Sequence, residues 1–527
     1  MNASRAAPDS GPDSGPDSGP DSGPAPVAAA GPESAGAPPL SLPTRLSYGM
    51  GAMANGIKGA AFSSYLMLYF NQVVGVPAAI VGTALACTLL VDAIVDPFLG
   101  RWADVTRSRW GRRHPFMYAA AIPTTVFFFL TWFPPDGLSH VQLGLWIFAF
   151  AAATRAAISA FEINASAMAP ELSGDYTERT RLFSLRYWFG YAGAYGFTAF
   201  SLAFIFVESE AYPRGQLNPE SYVNFAALGA GLIFLAILVC AAGTHNRVPW
   251  MRQADGQAGD PAMPLREHLR EMLAAFRNRA FLAIFGFGVF KYTAIGLYSA
   301  TTLYFGTYLF KLDTAQLALL TLDSFVAATL AAPLAPVFSR WFGKRTSSMV
   351  FAVLGVSIGL SPLLLSLFGL FFVPGDTLLV PVLFAIGAIY GAMVAISLIN
   401  TSAMLADVVE DSAVETGRHT AGTFFSASSF MQQCSNALGI FVAGQVLALA
   451  EFPERADPDT IPRPVVESLL IHYIPTSIGL WTIGALILLF YPITRARHER
   501  NVEILRAREA EAREREQRDA ALGGPAR

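Results

Sequence analysis

Twelve long apolar segments constrain this chain more than any other feature of its sequence. A helix that crosses a bilayer needs about 20 mostly apolar residues, and within hydrocarbon only helices and closed barrels satisfy every backbone polar group. Charged residues make up only 14% of the chain, against about 25% in soluble domains. We therefore predict an all-α membrane protein with twelve transmembrane helices. The predicted helices span 46–72, 78–100, 115–133, 141–169, 182–207, 223–243, 280–309, 315–338, 347–373, 378–404, 421–449 and 466–493.

Basic residues are distributed unevenly between the predicted loops. The loops after the second, fourth, sixth, eighth and tenth helices hold 18 lysine and arginine residues, and the intervening loops hold four. Because cytoplasmic loops carry the excess of basic residues, we predict a multi-pass protein of the cell inner (plasma) membrane with both termini in the cytoplasm. The four are Arg214, Lys311, Arg455 and Arg463; the 18 are Arg101, Arg107, Arg109, Arg112, Arg113, Arg179, Arg181, Arg186, Arg247, Arg252, Arg266, Arg270, Arg277, Arg279, Arg340, Lys344, Arg345 and Arg418.

The longest basic loop divides the helices six and six. We predict an N-terminal six-helix bundle at 44–243, a cytoplasmic central loop at 244–279 and a C-terminal six-helix bundle at 280–495. The arm at 1–43 repeats Pro-Asp-Ser-Gly and has too little apolar content to offset the entropy of ordering, so we predict that it is disordered. The tail at 496–527 alternates Arg and Glu, which predicts a solvated, charged cytoplasmic helix.

Two carboxylates lie inside the second apolar segment, four residues apart. That spacing places Asp92 and Asp96 on one helix face about one turn apart. Two like charges so close repel each other unless a cation or a proton lies between them. We therefore predict a cation-coupling site that takes Na⁺ or H⁺, with any metal ion limited to Na⁺ at these two residues. The alternative is that the acids pair with basic groups such as Lys58 and serve only assembly.

The fourth segment carries a polar stripe on an otherwise apolar helix. Arg155, Ser159 and Glu162 occur at i, i+4 and i+7, so they face the bundle interior. Glu162 and Ser159 either complete the cation site or contact the substrate. The alternative is an ion pair of Glu162 with Arg155 or with Lys58.

Several polar side chains are candidates for substrate contacts. Lys58 lies well inside the first segment, where an ionisable residue is a functional candidate by default. Tyr187 either stacks on a sugar ring or packs against its neighbours. The amides Asn55, Gln433 and Asn436 either hydrogen-bond a glycoside or join helices. With Arg155 and Arg186, these residues form the predicted substrate set.

A basic turn follows the second helix, and a related sequence follows the eighth. Trp110-Gly111-Arg112-Arg113 is matched by Trp341-Phe342-Gly343-Lys344-Arg345 in the second half, which indicates duplication. The position of the first turn predicts a cytoplasmic gate. The alternative is that its charges only set topology. The predicted gate residues are Asp104, Arg109, Arg112 and Arg113.

The acid pair and the basic turn together resemble the glycoside-pentoside-hexuronide:cation symporter family of the major facilitator superfamily. The resemblance covers about residues 46–440. It rests on Asp92-Ala93-Ile94-Val95-Asp96-Pro97, Thr106 to Pro115, Ser47-Tyr48-Gly49, Val73-Val74-Gly75, Pro170-Glu171-Leu172, Asp175 to Leu182, Ala406-Asp407-Val408-Val409-Glu410, Thr416-Gly417-Arg418 and Phe424-Phe425-Ser426.

The resemblance implies the major facilitator fold and a symporter driven by Na⁺ or H⁺. It implies that Asp92, Asp96 and Glu162 hold the cation with Ser159 as a hydroxyl ligand, and that Arg186 binds sugar. Animal sodium-dependent lysolipid transporters are similar in the same acid-pair motif. The prediction is therefore cation-coupled symport of a sugar or glycoside, with a lysolipid or other amphipath as the alternative substrate.

Other function classes fit the sequence less well. No metal-ligand cluster, nucleophile elbow or phosphate-binding loop is apparent in the printed residues, so we do not expect an enzyme. We expect no cofactor apart from the coupling ion and no nucleic-acid partner. The expected partners are a small-molecule substrate and the lipid bilayer, and we expect a monomer.

Overall fold

The computed structural model describes residues 39–173, 175–251, 275–416 and 421–521. Helices joined by short loops make up these ranges. In chain order they are α1 (42–74), α2 (Ala78–Val105), α3 (His114–Thr131), α4 (His140–Leu172), α5 (176–205), α6 (Ser221–Thr244), α7 (Arg279–Leu309), α8 (Thr314–Phe342), α9 (Lys344–Leu367), α10 (Leu379–Thr416), α11 (Ala421–Leu449), α12 (Arg463–Leu488) and α13 (Arg495–Ala521).

The first twelve helices follow the predicted apolar segments in order, and each overlaps its predicted range. Seven helices of the described ranges are long and apolar enough to cross a membrane on length and composition alone. The predicted all-α, twelve-helix architecture is confirmed. The arm up to residue 38 and the central loop at 252–274 lie outside the described residues.

Two helices begin at caps that the sequence encodes. At α4, the Ser139 side chain accepts from the Gln142 N–H at 3.4 Å, and the Gln142 side chain accepts from the Ser139 N–H at 2.9 Å. Asp313 and Gln316 repeat this arrangement at the start of α8. Such reciprocal caps satisfy backbone donors that a helix start leaves unpaired. The cap at Ser139 fixes the residue at which α4 begins, and therefore the position of the polar stripe along that helix.

The helices pack as two bundles, α1–α6 and α7–α12. In the first bundle α1 packs against α5 and α6, and α4 packs against α2 and α3; in the second, α7 packs against α11 and α12, and α10 against α8 and α9. The bundles meet where α2 packs on α11, α5 on α8 and α1 on α7. Interchanging the two halves turns the α2–α11 contact into the α5–α8 contact, as expected of a protein built from two repeats.

The helix ends and the loops between them form two opposite faces of the molecule. The basic face carries the loops after the even-numbered helices up to α10, and the far face is the opposite one. Close to the far face, α2 and α11 approach backbone to backbone. A Cβ added at Gly444 would lie 2.6 Å from the Ala78 carbonyl oxygen and 3.1 Å from the Gly82 Cα. Glycine is therefore required for the bundles to close here.

The far-face ends of α1, α5 and α7 wind as wide π-helical turns. These turns are Tyr69–Val74, Ser201–Ile205 and Phe305–Leu309. A π turn shifts the register of the side chains that follow it and is frequent at functional sites. All three helices contribute to the interface between the bundles.

The charged tail forms a helix, as predicted, but its first half is not fully solvated. Arg497 donates to Asp411 of α10 at 2.7 and 2.8 Å, and Asn501 donates to the same carboxylate at 2.7 Å. The hydrogen bonds that Arg497 donates to Asp411 raise the pKa of the Arg497 guanidinium. The prediction of a plain solvated tail is therefore wrong for this half of α13, because the C-terminal part of α10 offers it a buried acid.

Candidate cation and substrate site

Six acidic and basic side chains of the first bundle lie away from the ends of their helices and interact with one another. Three are acidic and three are basic, and they come from α1, α2, α4 and α5. Their mutual electrostatic interactions join them into one cluster. We name them the charged cluster: Lys58, Asp92, Asp96, Arg155, Glu162 and Arg186.

Asp92 is paired with an arginine. Arg155 Nε donates to Asp92 Oδ2 at 2.6 Å, and a second guanidinium nitrogen contacts the same oxygen. Asp92 is only 6% exposed. Lys58, the partner considered from sequence, interacts with both α2 acids electrostatically. Sequence reasoning assigned Arg155 to the substrate, but in the structure it binds a predicted cation ligand.

Glu162 is paired with Arg186, and not with Arg155 or Lys58. Arg186 donates to Glu162 Oε1, and Ser166 donates to the same oxygen at 3.3 Å. The Arg186 guanidinium also lies 5.3 Å from the centre of the Tyr48 ring, a favourable cation–π distance. Arg186 lies ten residues inside α5, so it is not the loop charge that the topology count took it to be.

Among the residues that the structure describes, three buried carboxylate oxygens of the cluster find no hydrogen-bond partner. They are Asp92 Oδ1, Asp96 Oδ1 and Glu162 Oε2, while Ser159 bonds to Asp96 through its side chain. A buried polar atom without a partner is unfavourable. Because a proton or a small hard cation would satisfy such oxygens, the residues present fit a Na⁺ or H⁺ site.

The three acids do not converge on a single point in this conformation. Among the described residues, Asp407, Glu410 and His498 on the basic face bring three potential metal ligands within 4.8 Å of one another. Asp92, Asp96 and Glu162 do not form such a group. Asp407 there is also bound by Lys344 at 2.7 Å. The cation site of α2 and α4 is therefore not assembled from all its predicted acids in this state.

The remaining substrate candidates make no described hydrogen bond to the charged cluster. Asn55, Tyr187 and Gln433 are exposed, and Asn436 is half-buried with its Oδ1 unpartnered. In the part of the chain that the structure describes, no hydrogen bond joins these four to the cluster. Helix α11, which carries Gln433 and Asn436, does reach the cluster, since Cys434 interacts electrostatically with Asp92 and Arg155. Their substrate role stays a prediction.

Ion pairs on the basic face hold the ends of helices within each bundle. Arg112 and Arg113 donate to Glu171 of α4 at 2.6 and 3.1 Å. In the second half Lys344 binds Asp407 of α10 at 2.7 Å, the matching place in the repeat.

The other two predicted gate residues are Arg109 and Asp104. Arg109 lies 5.3 Å over the Trp110 ring, and the side chain of Asp104 lies outside the described part of the structure. The gate role of the basic turn stays a prediction.

A hydrogen-bond network at the far face joins the two bundles, and sequence reasoning missed it. Tyrosine hydroxyls of α7 donate to amides at the end of α1: Tyr304 to Asn71 Oδ1 at 2.9 Å and Tyr308 to Gln72 Oε1 at 2.8 Å. All four side chains are buried. Further bonds across the interface are Gln72 Nε2 to the Pro453 oxygen, Gln216 Nε2 to Thr307 Oγ1 and Arg455 to the Val74 oxygen. We name these residues the far-face seal. It closes the interface between the charged cluster and the far face.

A lysine is buried in the second bundle. Lys291 of α7 is fully buried, donates to Thr401 Oγ1 at 3.1 Å and lies 4.7 Å from the centre of the Phe287 ring. The sequence places Lys291 within the predicted helix at 280–309 but does not reveal its hydroxyl partner. It lies outside the charged cluster.

Residues 47–495 match the family described as MFS/sugar transport protein, which covers most of the chain. The chain belongs to this family. The resemblance to cation symporters of the glycoside type is confirmed, and the protein is a multi-pass membrane transporter and not an enzyme.

Curated relatives of this transporter have different named substrates. It is 25% identical to the isoprimeverose transporter of Lactiplantibacillus pentosus, over 86% of this chain and 88% of that protein. It is also 25% identical to the glucuronide carrier protein homolog of Escherichia coli (strain K12), over 86% and 93%. The sphingosine-1-phosphate transporter MFSD2B of Mus musculus is 25% identical over 86% and 90%.

Solved structures support the fold of this family member. The nucleoside transporter NupG superposes with a TM-score of 0.61 at 13% identity, covering 86% of this chain and 100% of that one. At this identity the likeness concerns the fold alone. The two-bundle architecture is thus the major facilitator fold.

Proposed function

We propose that this protein is a secondary active transporter that couples entry of Na⁺ or H⁺ to symport of a sugar or glycoside. The observation that carries the proposal is that buried carboxylate oxygens of Asp92, Asp96 and Glu162 have no hydrogen-bond partner within the described part of the chain. Asp92 and Asp96 lie about one turn apart on α2, and a coupling cation bound between them would remove the repulsion between their like charges. Relatives named as sugar and glycoside carriers support the substrate class.

Coupling follows from electrostatics in a low-dielectric interior. A cation that binds between the α2 acids offsets their repulsion and lowers the free energy of closing the site around substrate. The two bundles then rock about the α2–α11 and α5–α8 contacts, so that the site faces one side at a time. The far-face seal supports this scheme because it closes one of the two routes to the site.

The charge asymmetry of the loops supports an orientation with the basic face in the cytoplasm. We propose that the protein functions as a monomer in the cell inner membrane, with substrate and ion entering from the far face. Both termini would then be cytoplasmic. Cysteine accessibility from each side of right-side-out vesicles tests the orientation.

Gradient-driven uptake into proteoliposomes tests the proposal. Purified protein is reconstituted and supplied with radiolabelled methyl β-D-glucoside or methyl β-D-glucuronide, with an inward Na⁺ gradient, a pH gradient or neither. We expect uphill accumulation under one of the ion gradients and its loss in Asp92→Asn and Asp96→Asn. Glu467→Gln, which removes an acid in an exposed pair with Arg463, is the matched control. Full accumulation by both α2 variants would exclude the coupling role.

A second candidate substrate class is a lysolipid or another amphipath. The observation that favours it is the relative named as a sphingosine-1-phosphate transporter, similar over 86% of this chain. The same proteoliposomes, supplied with sphingosine-1-phosphate on a carrier protein, separate the two classes. Ion-dependent uptake of the lipid without uptake of either glycoside would favour the amphipath.

A further inference from the structure

We propose that Arg155 exchanges partners during transport: it neutralises Asp92 in the ion-free carrier and binds an anionic group of the substrate once the coupling ion has displaced it. The substrate class is then a sugar or amphipath that carries a carboxylate or a phosphate. This inference rests on the proposed coupling role of Asp92 and Asp96.

The first observation is the charge balance of the charged cluster. Its three carboxylates and three basic groups sum to a formal charge of zero before any ion binds. A coupling cation with a neutral sugar would leave one unbalanced positive charge in a desolvated site, which is strongly unfavourable. A cation with a singly charged anion keeps the sum at zero.

The second observation is the place that Arg155 occupies. Its guanidinium binds Asp92 through two nitrogens, and Asp92 is one of the two acids that the ion needs. The Arg155 guanidinium therefore competes with the ion for the Asp92 carboxylate. Asp96 Oδ1 and Asp92 Oδ1 have no hydrogen-bond partner among the described residues, so these buried oxygens are left for the ion to bind.

The third observation identifies Arg155 as the group that changes partner. Glu162 holds Arg186, whose side chain is 7% exposed and also contacts Ser166 and Tyr48. Arg155 has a more exposed side chain, at 17%. It also lies near Cys434 of α11, at the interface between the bundles. A planar guanidinium released there presents paired donors to a carboxylate or phosphate.

Cation binding without substrate gives the first test. The thermal midpoint of the purified full chain is titrated with Na⁺, and with protons by pH, for wild type, Arg155→Gln, Arg155→Lys and the control Arg345→Gln. We expect the half-maximal cation concentration to fall roughly tenfold in Arg155→Gln, because the competitor has gone. The lysine variant and the control should stay near wild type. An unchanged or weaker cation affinity in Arg155→Gln overturns the proposal.

Matched ligand pairs give the second test. Methyl β-D-glucuronide is compared with methyl β-D-glucoside, and oleoyl lysophosphatidate with monooleoylglycerol, so that each pair differs in the anionic group. We expect cation-dependent stabilisation of wild type by the anionic member of one pair, its loss in Arg155→Gln and its partial retention in Arg155→Lys, which keeps the charge but not the paired donors. The pairs also distinguish a sugar carboxylate from a lipid phosphate.

The outcomes separate this inference from the proposed function. Cation-dependent stabilisation by the neutral member, equal to that by its anionic partner, overturns the partner exchange and leaves symport intact. A wild-type protein that no cation stabilises, with or without ligand, overturns the coupling role itself. The cation shift of Arg155→Gln shows whether that variant is folded.

Discussion

An ionised side chain at the centre of a bilayer costs about 2.5–3.5 kcal/mol on insertion scales, so its partner decides what it does. Arg186 neutralises the Glu162 carboxylate, and Arg155 neutralises the Asp92 carboxylate. A charged pair in a buried site is sensitive to the loss of either partner, because the remaining charge is left unneutralised. These pairs therefore hold the first bundle together as well as forming its site.

A double-mutant cycle tests the Glu162–Arg186 pair. We expect Glu162→Gln and Arg186→Gln each to lower the free energy of unfolding by about 3–5 kcal/mol, because each strands a charge. The double variant should be less destabilised than the sum of the single ones, with a coupling of more than about 1 kcal/mol. Unfolding in detergent measures all four proteins. Additive effects would show that the two side chains do not interact.

Lys291 is predicted to behave differently. It is fully buried, and its described hydrogen-bond partner is a neutral hydroxyl. Replacing it by methionine of similar length removes an unfavourable desolvated ammonium at the expense of one hydrogen bond. We expect Lys291→Met to have a thermal midpoint equal to or above that of wild type. A clearly lower midpoint would mean that the ammonium makes a stabilising contact beyond Thr401.

At the scale of helices, the far-face ends of α1 and α7 act as one closure. Each hydrogen bond in the far-face seal contributes roughly 1 kcal/mol, so losing one shifts the open population roughly fivefold. Tyr308→Phe removes the bond to Gln72 without changing ring packing. We expect faster labelling of a cysteine placed at the buried Met67, by a membrane-impermeant maleimide, in a background lacking the three native cysteines.

The control for this labelling experiment is Tyr69→Phe. The Tyr69 hydroxyl donates to the Trp132 oxygen within the first bundle, and neither residue belongs to the far-face seal, so loss of this hydrogen bond should leave labelling at wild-type rate. Equal acceleration by both variants would mean that the probe reports loosened packing and not opening of the seal.

The approach of α2 to α11 is predicted to be obligatory for closure. A side chain at Gly444 would meet the Ala78 carbonyl oxygen at 2.6 Å. We expect Gly444→Val to hold the far face open, with rapid labelling of the same probe and loss of accumulation. Gly231→Val is the control, because a Cβ there meets nothing within 4 Å. Slow labelling of Gly444→Val would show that the bundles close without this contact.

At the scale of the whole molecule, the architecture could be read from the sequence because membrane helices are specified by one-dimensional quantities. Apolar length predicted α1–α12, and the six-and-six division followed from the longest basic loop. The acids of α2 and α4 were found for the same reason, since a charge stands out in an apolar run. These predictions needed no knowledge of how helices rotate against one another.

Partners across helices could not be predicted in this way. The choice of Arg155 for Asp92, and of Arg186 for Glu162, depends on helix rotation and separation, which the pattern of one helix does not contain. The far-face seal was missed because Asn71 and Gln72 stand at the end of an apolar segment, where polar residues are ordinary. Only the structure brings the tyrosines of α7 to them.

Coupling is a statement about free energies, and the zero-flux gradient measures it most directly. Proteoliposomes are loaded with an accepted substrate, and the substrate ratio at which net flux stops is recorded against a series of imposed Na⁺ or H⁺ gradients. We assume that one ion is carried per substrate and that the membrane potential is clamped at zero. We then predict that net flux stops when the inside-to-outside ratio of substrate equals the outside-to-inside ratio of the ion. A ratio that stays at one whatever ion gradient is imposed would contradict it.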